Sequence, residues 1–389
     1  MSSLRFLTAG ESHGPRLTAI LEGLPAGLAL DLSRIDRDLA RRQQGYGRGG
    51  RMKIEKDHVE VLSGVRFGET LGGPITLSVE NRDFKNWTDR MAPFGEPAGE
   101  PVTAARPGHA DLTGYKKYAR KDIRDILERS SARETTMRVA VGGVCKEFLR
   151  ALGVSVVSHV TKIGGVAIDP AKVDVTKILG TDAPLDPDGL NCYDAEAEER
   201  MKARIREAMA AGDTLGGTFE VIARGLPLGL GSHIQWDRRL DARLAGAMMS
   251  IQAIKGVEIG AGFEYAEKPG SAMHDEMYIE DTHVYRKTNN AGGLEGGMTN
   301  GEPVIVRAVM KPIPTLMQPL HSVDVAKKEP VLACKERSDA CAVSAASVVG
   351  EAMVAFVLAQ AIVEKFGGDA MTDVKAAIAA YDERVEKDW

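Results

Sequence analysis

His13, His109 and Asp339 are the side chains best suited to carry protons, and each sits in a polar stretch with arginines in or near it. His13 lies in Gly10-Glu11-Ser12-His13-Gly14, where a glycine on either side lets the backbone turn sharply and bring the ring to the lip of a cleft. His109 belongs to Arg106-Pro107-Gly108-His109-Ala110-Asp111, and Asp339 closes Arg337-Ser338-Asp339. Around them, Arg42, Arg48, Arg106, Arg129, Arg133, Lys311 and Arg337 can hold anionic groups. No Gly-x-Ser-x-Gly elbow, no Walker loop and no metal-ligand spacing among the histidines is present. The chemistry that remains is proton movement around a strongly anionic substrate, with positioning and electrostatics doing most of the catalysis. Loss of a phosphate leaving group fits, because arginines can stabilise the departing charge while a histidine protonates it.

The segment from Arg106 to Glu134 concentrates these groups and contains little that could build a core. It reads as a polar loop running into a helix start. Ser131 and Glu134 have the spacing of a capping box, opening a helix through Val139, Val144, Phe148 and Leu152 to Gly153. That places Arg129, Ser130 and Ser131 at a helix N-terminus, where unpaired N–H groups and the macrodipole favour an anion. The middle of the segment, Gly114 to Asp122, has no evident task.

The positioning elements follow from period and punctuation. Strands are expected at residues 4 to 8, from Leu17 toward Pro25, at Val59–Val65, Ile75–Val79, Val154–Val160, Thr218–Ala223 and Pro303–Val309. Ser33 reads as an N-cap with Asp36 as its capping-box acid, opening a helix that carries Arg41 and Arg42 in its last turn before Gly45. Further helices are expected at Ala195–Ala211, a charged solvated one, and at Leu240–Ile254. Another runs over Ala340–Phe366 and is apolar on nearly every face. Residues 81 to 105 read as a long loop of the kind that forms lids, and Gly229 to His233 as a turn that could bring His233 toward a site. Thr70-Leu71-Gly72-Gly73 before one strand, Asp213-Thr214-Leu215-Gly216-Gly217 before another and Gly296-Gly297 before a third suggest one architectural unit used more than once.

Composition bounds the rest. The 389 residues, 43% hydrophobic and 27% charged, describe an ordinary globular protein. The N-terminus lacks the apolar stretch of a signal peptide, which makes the cytoplasm the expected location. Cys145, Cys192, Cys334 and Cys341 have no Cys-x-x-Cys spacing and suggest neither a disulfide framework nor a zinc site. A net charge of −5 disfavours a general nucleic-acid binder, yet Arg41, Arg42, Arg48, Arg51 and Lys53 form a basic island free of acidic residues. Such an island on an acidic protein suits a small polyanion.

Five motifs in order give the chain a family resemblance. Gly10 to Gly14, Arg41-Arg42-Gln43-Gln44-Gly45-Tyr46-Gly47-Arg48-Gly49, Arg106 to Asp111, Glu128-Arg129-Ser130-Ser131-Ala132-Arg133-Glu134-Thr135 and Arg337 to Asp339 together resemble chorismate synthase along essentially the whole chain. The resemblance implies anti-1,4-elimination of phosphate from 5-enolpyruvylshikimate 3-phosphate, giving chorismate, with reduced FMN as cofactor and no net redox change. It implies that His13 protonates the departing phosphate, His109 keeps the reduced flavin suitably protonated and Asp339 assists proton removal. Ser12, Arg42, Arg48, Arg133 and Arg337 would hold the substrate. Arg106, Arg129, Ser130, Ser131, Gln252, Ala253, Gly296, Lys311, Pro312, Ile313, Pro314, Thr315 and Arg337 would contact the flavin. Two of these depart from the usual residues, Gln252 where an Asn is common and Pro314 in a stretch often richer in hydroxyls. The implied fold is α/β of the α+β type, a single catalytic domain over residues 1–389 built as a β-α-β sandwich of antiparallel sheets, in a homotetramer. The absence of an evident extra segment favours a monofunctional enzyme over one that reduces its own flavin with NADPH.

Two other readings use the same residues. A flavin-dependent oxidoreductase could employ this apparatus for FMN and a nicotinamide nucleotide, and an RNA binder could employ Tyr46, Arg48 and Arg51. The acidic net charge and compact composition weigh against the second.

Overall fold

Alternation of side chains builds the first layer. Leu17, Ala19 and Leu21 turn inward and are buried, whereas Ile20, on the other face of the same strand, is exposed. The strands Arg5–Ala9, Arg16–Glu22, Ile75–Glu80 and Glu60–Ser63 pair in that order into an antiparallel sheet. A second antiparallel sheet has the order Ile254–Ile259, Val304–Met310, Gly217–Arg224, Ser155–Ile163 and Val166–Ala167. The structure is a computed structural model that describes residues 4–50, 54–173, 186, 188–281, 283–334 and 339–387.

Helices fill the space between the sheets. Thr135–Arg150 packs on the first sheet, Val343–Phe366 packs on the second, and the two helices pack on each other, which gives sheet, helix and sheet layers of α+β type. Close approach depends on missing side chains. A Cβ on Gly142 would lie 2.3 Å from the Ala352 Cβ, and one on Gly350 would lie 2.5 Å from the ring of Phe219 in the second sheet. Val343–Phe366 is long and apolar enough to cross a membrane, but nearly all of it is covered by the protein. Its one central charge, Glu351, accepts from both terminal nitrogens of Arg41 at 2.9 Å and from Ser158 Oγ at 2.9 Å, with Lys146 also paired to it. Arg41 therefore spends its charge inside the core, leaving the basic island without one of its expected members.

The repeated glycine turns introduce interior strands. The first leads into Ile75–Glu80 and the second into Gly217–Arg224, both inner strands of their sheets, and the third precedes Val304–Met310, which pairs with Gly217–Arg224. Three local expectations are corrected. The helix Leu32–Gln43 is capped by Asp31, whose side chain accepts from the Ser33 N–H, and Asp36 instead accepts from Val59. The helix starting at Leu240 stops at Met249, and Ile254 begins a strand. Ala253 between them has a φ of 68°, a left-handed conformation that turns the chain out of the helix and into the sheet. The segment from Arg106 to Glu134 is not a loop, since it contains the helices Asp111–Lys117 and Arg124–Ser130. Gly114, in its unexplained middle, lets the first helix press on the second, for a Cβ there would meet Ile126 at 2.4 Å.

Candidate active site

The turn bearing His13 joins the first two strands, and its geometry requires glycine. Gly10 has a φ of +108°, and a Cβ there would collide with the Arg16 carbonyl at 2.4 Å. Asn81 Nδ2 then ties the turn by donating to the carbonyls of Glu11 and Gly14. Glu128 holds its open side: the carboxylate accepts the His13 main-chain N–H at 2.7 Å and lies 3.0 Å from ring Nδ1, while the Glu128 carbonyl accepts the Ser12 N–H. The indole of Trp87, from the region expected to be a loop, packs on the imidazole with ring centroids 4.1 Å apart and planes tilted by 39°. Burial opposes the Glu128 charge, but hydrogen bonds from His13 and Arg124 outweigh it and keep the carboxyl below its usual range.

His109 is held in a similar way. Its Nδ1 lies 2.5 Å from Asp111 Oδ1, and Arg106 reaches the other carboxylate oxygen through Nε at 2.8 Å. Burial would raise the Asp111 pKa, yet His109 and Arg106 together hold that carboxyl well below the usual range. Arg106 Nη1 also donates to Thr315 at 3.3 Å, and Lys311 Nζ reaches the Gly108 carbonyl. Lys311 N–H is bonded to the Ala253 carbonyl, which fastens the 311–315 stretch beside Gln252 and Ala253. Ile313 contributes its carbonyl to Thr214, Pro314 faces Gly108 and Pro312 lies over Gly216.

The arginines fall into two groups. Arg42 and Arg133 are buried and share Asp57, Arg42 at 2.6 Å and Arg133 at 2.6 and 2.8 Å. Burial pushes Arg42 down to about 10, with the charges of Arg133 and Arg48 adding to the effect against the pull of Asp57, so it remains a cation at neutral pH. Arg133 also donates to Asn81, the residue that ties the His13 turn. Arg48 pairs with Asp339 at 2.9 Å, and the other Asp339 oxygen accepts from the Gly49 N–H. Arg48 is thereby drawn off the surface role an RNA binder would need, and Tyr46 packs against the core.

Of Arg129, Ser130 and Ser131, only Ser131 opens a helix. Arg129 and Ser130 close the helix Arg124–Ser130, and the Ser131 side chain caps only a short 3-10 turn before Thr135–Arg150 by accepting from the Arg133 N–H. Ser130 Oγ bonds back to the Ile126 carbonyl. Arg129 and Ser130 therefore stand before that helix start and not in it: Arg129 donates to the Thr8 and Gly10 carbonyls, and Ser12 Oγ meets Ser131 Oγ at 3.1 Å. Glu134, rather than reaching back as a capping acid, accepts from Thr8, Gln252 and Arg138. Arg129, Glu134, Arg138, Ser250 and Gln252 line an open cavity of about 440 Å³.

Hydrogen bonds thus run from Arg42 through Asp57, Arg133 and Asn81 to the His13 turn, and from Arg129 through Thr8 and Glu134 to Gln252, whose chain neighbour Ala253 accepts the Lys311 N–H while Lys311 Nζ reaches the carbonyl of Gly108, next to His109. Gly296 lies next to His233 and Met298. Arg337, like Arg51 and Lys53, lies outside the described residues. Asp57, Trp87, Glu128 and Glu134 were missed as partners. Trp87 was open to notice, being one of only 3 tryptophans and placed in a polar stretch that offers it no core.

Comparison with known proteins gives the family of the chain as a whole. A profile described as chorismate synthase matches residues 4–363. The chain is 59% identical over 391 residues to the chorismate synthase of Syntrophotalea carbinolica, covering 100% of both chains. It is 58% identical over 392 residues to that of Geobacter sulfurreducens, covering 98% of this chain and 99% of the relative. A solved structure titled as the crystal structure of chorismate synthase superposes with a TM-score of 0.79 at 46% identity, covering 99% of this chain and 98% of the other. With matches of that length and identity, the chain belongs to the chorismate synthase family.

Proposed function

We propose that the chain converts 5-enolpyruvylshikimate 3-phosphate to chorismate at the site of His13 and His109, with residues 1–389 acting as one catalytic unit. As a family member it is a lyase of aromatic biosynthesis that eliminates phosphate. The observation that carries the assignment of roles is that two histidines are each tied through Nδ1 to a buried carboxylate, and that buried Arg133 bonds to Asn81, the residue that ties the His13 turn. A ring whose Nδ1 is engaged by a carboxylate exchanges its working proton through Nε2. His13 then protonates the departing phosphate oxygen, and the cations of Arg42, Arg48, Arg133 and Arg337 take up the phosphate and carboxylate charge with Ser12 beside them. Asp339 assists removal of the ring proton. His109, oriented by Asp111, maintains a proton at the cofactor.

The residues present suit reduced FMN. Gln252 Oε1 is a buried acceptor with no hydrogen-bond partner, and a flavin edge offers N–H donors of the matching kind. Arg106, Arg129, Ser130, Ser131, Ala253, Gly296, Lys311 to Thr315 and Arg337 would hold the group together with Gln252. When bound, reduced FMN supplies an electron transiently and regains it, so no net redox change accompanies the elimination. An external reductase or NADPH-dependent source keeps the flavin reduced. A cytoplasmic homotetramer is the proposed working form. The test is anaerobic incubation of the substrate with chemically reduced FMN and the protein: equal amounts of chorismate and inorganic phosphate support the reading, and phosphate without chorismate overturns it.

A further inference from the structure

The grip on His13 is more elaborate than a turn of this size needs. Glu128 contributes three bonds to it: its carbonyl to the Ser12 N–H, one carboxylate oxygen to the His13 main-chain N–H, and the carboxylate to ring Nδ1 at 3.0 and 3.1 Å. The carboxylate is 3% exposed and cannot exchange these partners for water. Arg124, one helical turn before it, donates to the same carboxylate at 2.9 Å and also lies 4.8 Å from the centroid of the Trp87 ring that packs against His13. Among the described residues, the charged groups around His13 include Glu128 and Arg124 from the helix Arg124–Ser130, and Asp83, which accepts from the Trp87 indole.

We propose that Glu128 is a positioning residue for the phosphate elimination: it fixes the His13 ring and its Nδ1–H tautomer, so that Nε2 carries the proton delivered to the leaving group, and Arg124 tempers the carboxylate's pull. The proposal rests on the assignment of His13 as proton donor. A carboxylate hydrogen-bonded to an imidazole stabilises the protonated ring, and a cation sharing that carboxylate weakens the effect. The two substitutions consequently act in opposite directions. Glu128→Gln keeps the size of the side chain and an acceptor for the main-chain N–H but removes the charge. Arg124→Gln leaves the carboxylate to His13 alone.

The experiment measures kcat and KM of the full-length protein across pH. In Glu128→Gln the alkaline limb of kcat moves to lower pH on the order of tenfold or more, while KM changes little. Glu128→Asp recovers part of the displacement. In Arg124→Gln the limb moves to higher pH. An unchanged limb in both variants overturns the proposal, and the Arg124 variant retains that power should Glu128→Gln fail to fold. If the limb moves as expected but His13→Asn keeps the wild-type kcat, the assignment of His13 as proton donor is the part that fails.

Discussion

Arg133 Nη1 lies 2.6 and 2.8 Å from the two carboxylate oxygens of Asp57, and neither side chain has appreciable contact with solvent. Because Arg42 uses the same carboxylate, its removal would leave two guanidinium groups buried beside each other. Asp57→Asn is expected to destabilise the protein by about 3–5 kcal/mol, seen as a fall in Tm. Burial works against the Asp57 charge, but Arg42 and Arg133 hold its pKa below 3.8. Its stabilisation is therefore complete above the unfolded value and is lost as pH falls through the lower folded value. The Tm of Asp57→Asn should vary less than wild type over that acidic window, and an equal slope would remove Asp57 from the account.

His109 and Asp111 form the second prediction. Asp111→Asn removes the charge that orients both His109 and Arg106. His109→Ala should lower kcat by about 10²–10⁴ with substrate KM nearly unchanged, because the binding cations are untouched. Asp111→Asn should lower kcat in the same direction. Wild-type rates for His109→Ala in a steady-state assay would exclude the ring from the mechanism.

The ion pair of Arg48 with Asp339 links the glycine loop to the start of the buried helix. Asp339→Asn retains an acceptor for the Gly49 N–H and should lower kcat by about 10²–10⁴. Arg48→Ala should instead act mainly on KM. Equal effects of both substitutions on KM alone would mean that Asp339 serves only to hold Arg48.

Gly142→Ala tests the contact between the two central helices. The added methyl would sit 2.3 Å from the Ala352 Cβ and 2.5 Å from its Cα, so the helices must separate. Overpacking of this kind costs about 1–3 kcal/mol. Calorimetry should show a lower Tm, and an unaltered Tm would mean that the helix layer yields without cost.

The legible parts of this chain were those written locally. Residues 340 to 366 announce a buried helix because apolar side chains occur on every face, and the glycines around His13 announce a sharp turn because few other residues could form it. The functional histidines and arginines stood out by type. Their partners did not, because a carboxylate becomes meaningful only when folding brings it to its cation: Asp57 is 76 positions from Arg133, and Glu128 is 115 from His13. At Ser131 the cap formed but the reciprocal half of the capping box did not, for a related reason. A Ser-x-x-Glu spacing was present, but Glu134 gained stronger partners in Thr8, Arg138 and Gln252 than the N–H of Ser131, which already bonds to Leu127. The helix expected to reach Ile254 failed because apolar periodicity does not distinguish the end of a helix from the first residue of a buried strand.

The central claim is elimination of phosphate without net redox change, and counting turnovers per flavin tests it directly. Under strict anaerobiosis, a small amount of chemically reduced FMN is mixed with the protein and excess 5-enolpyruvylshikimate 3-phosphate, with no nicotinamide nucleotide, while chorismate and flavin absorbance are followed together. The account predicts many chorismate molecules per flavin, with the flavin still reduced at the end. Oxidation of one flavin for each product formed, or no chorismate at all, would contradict it.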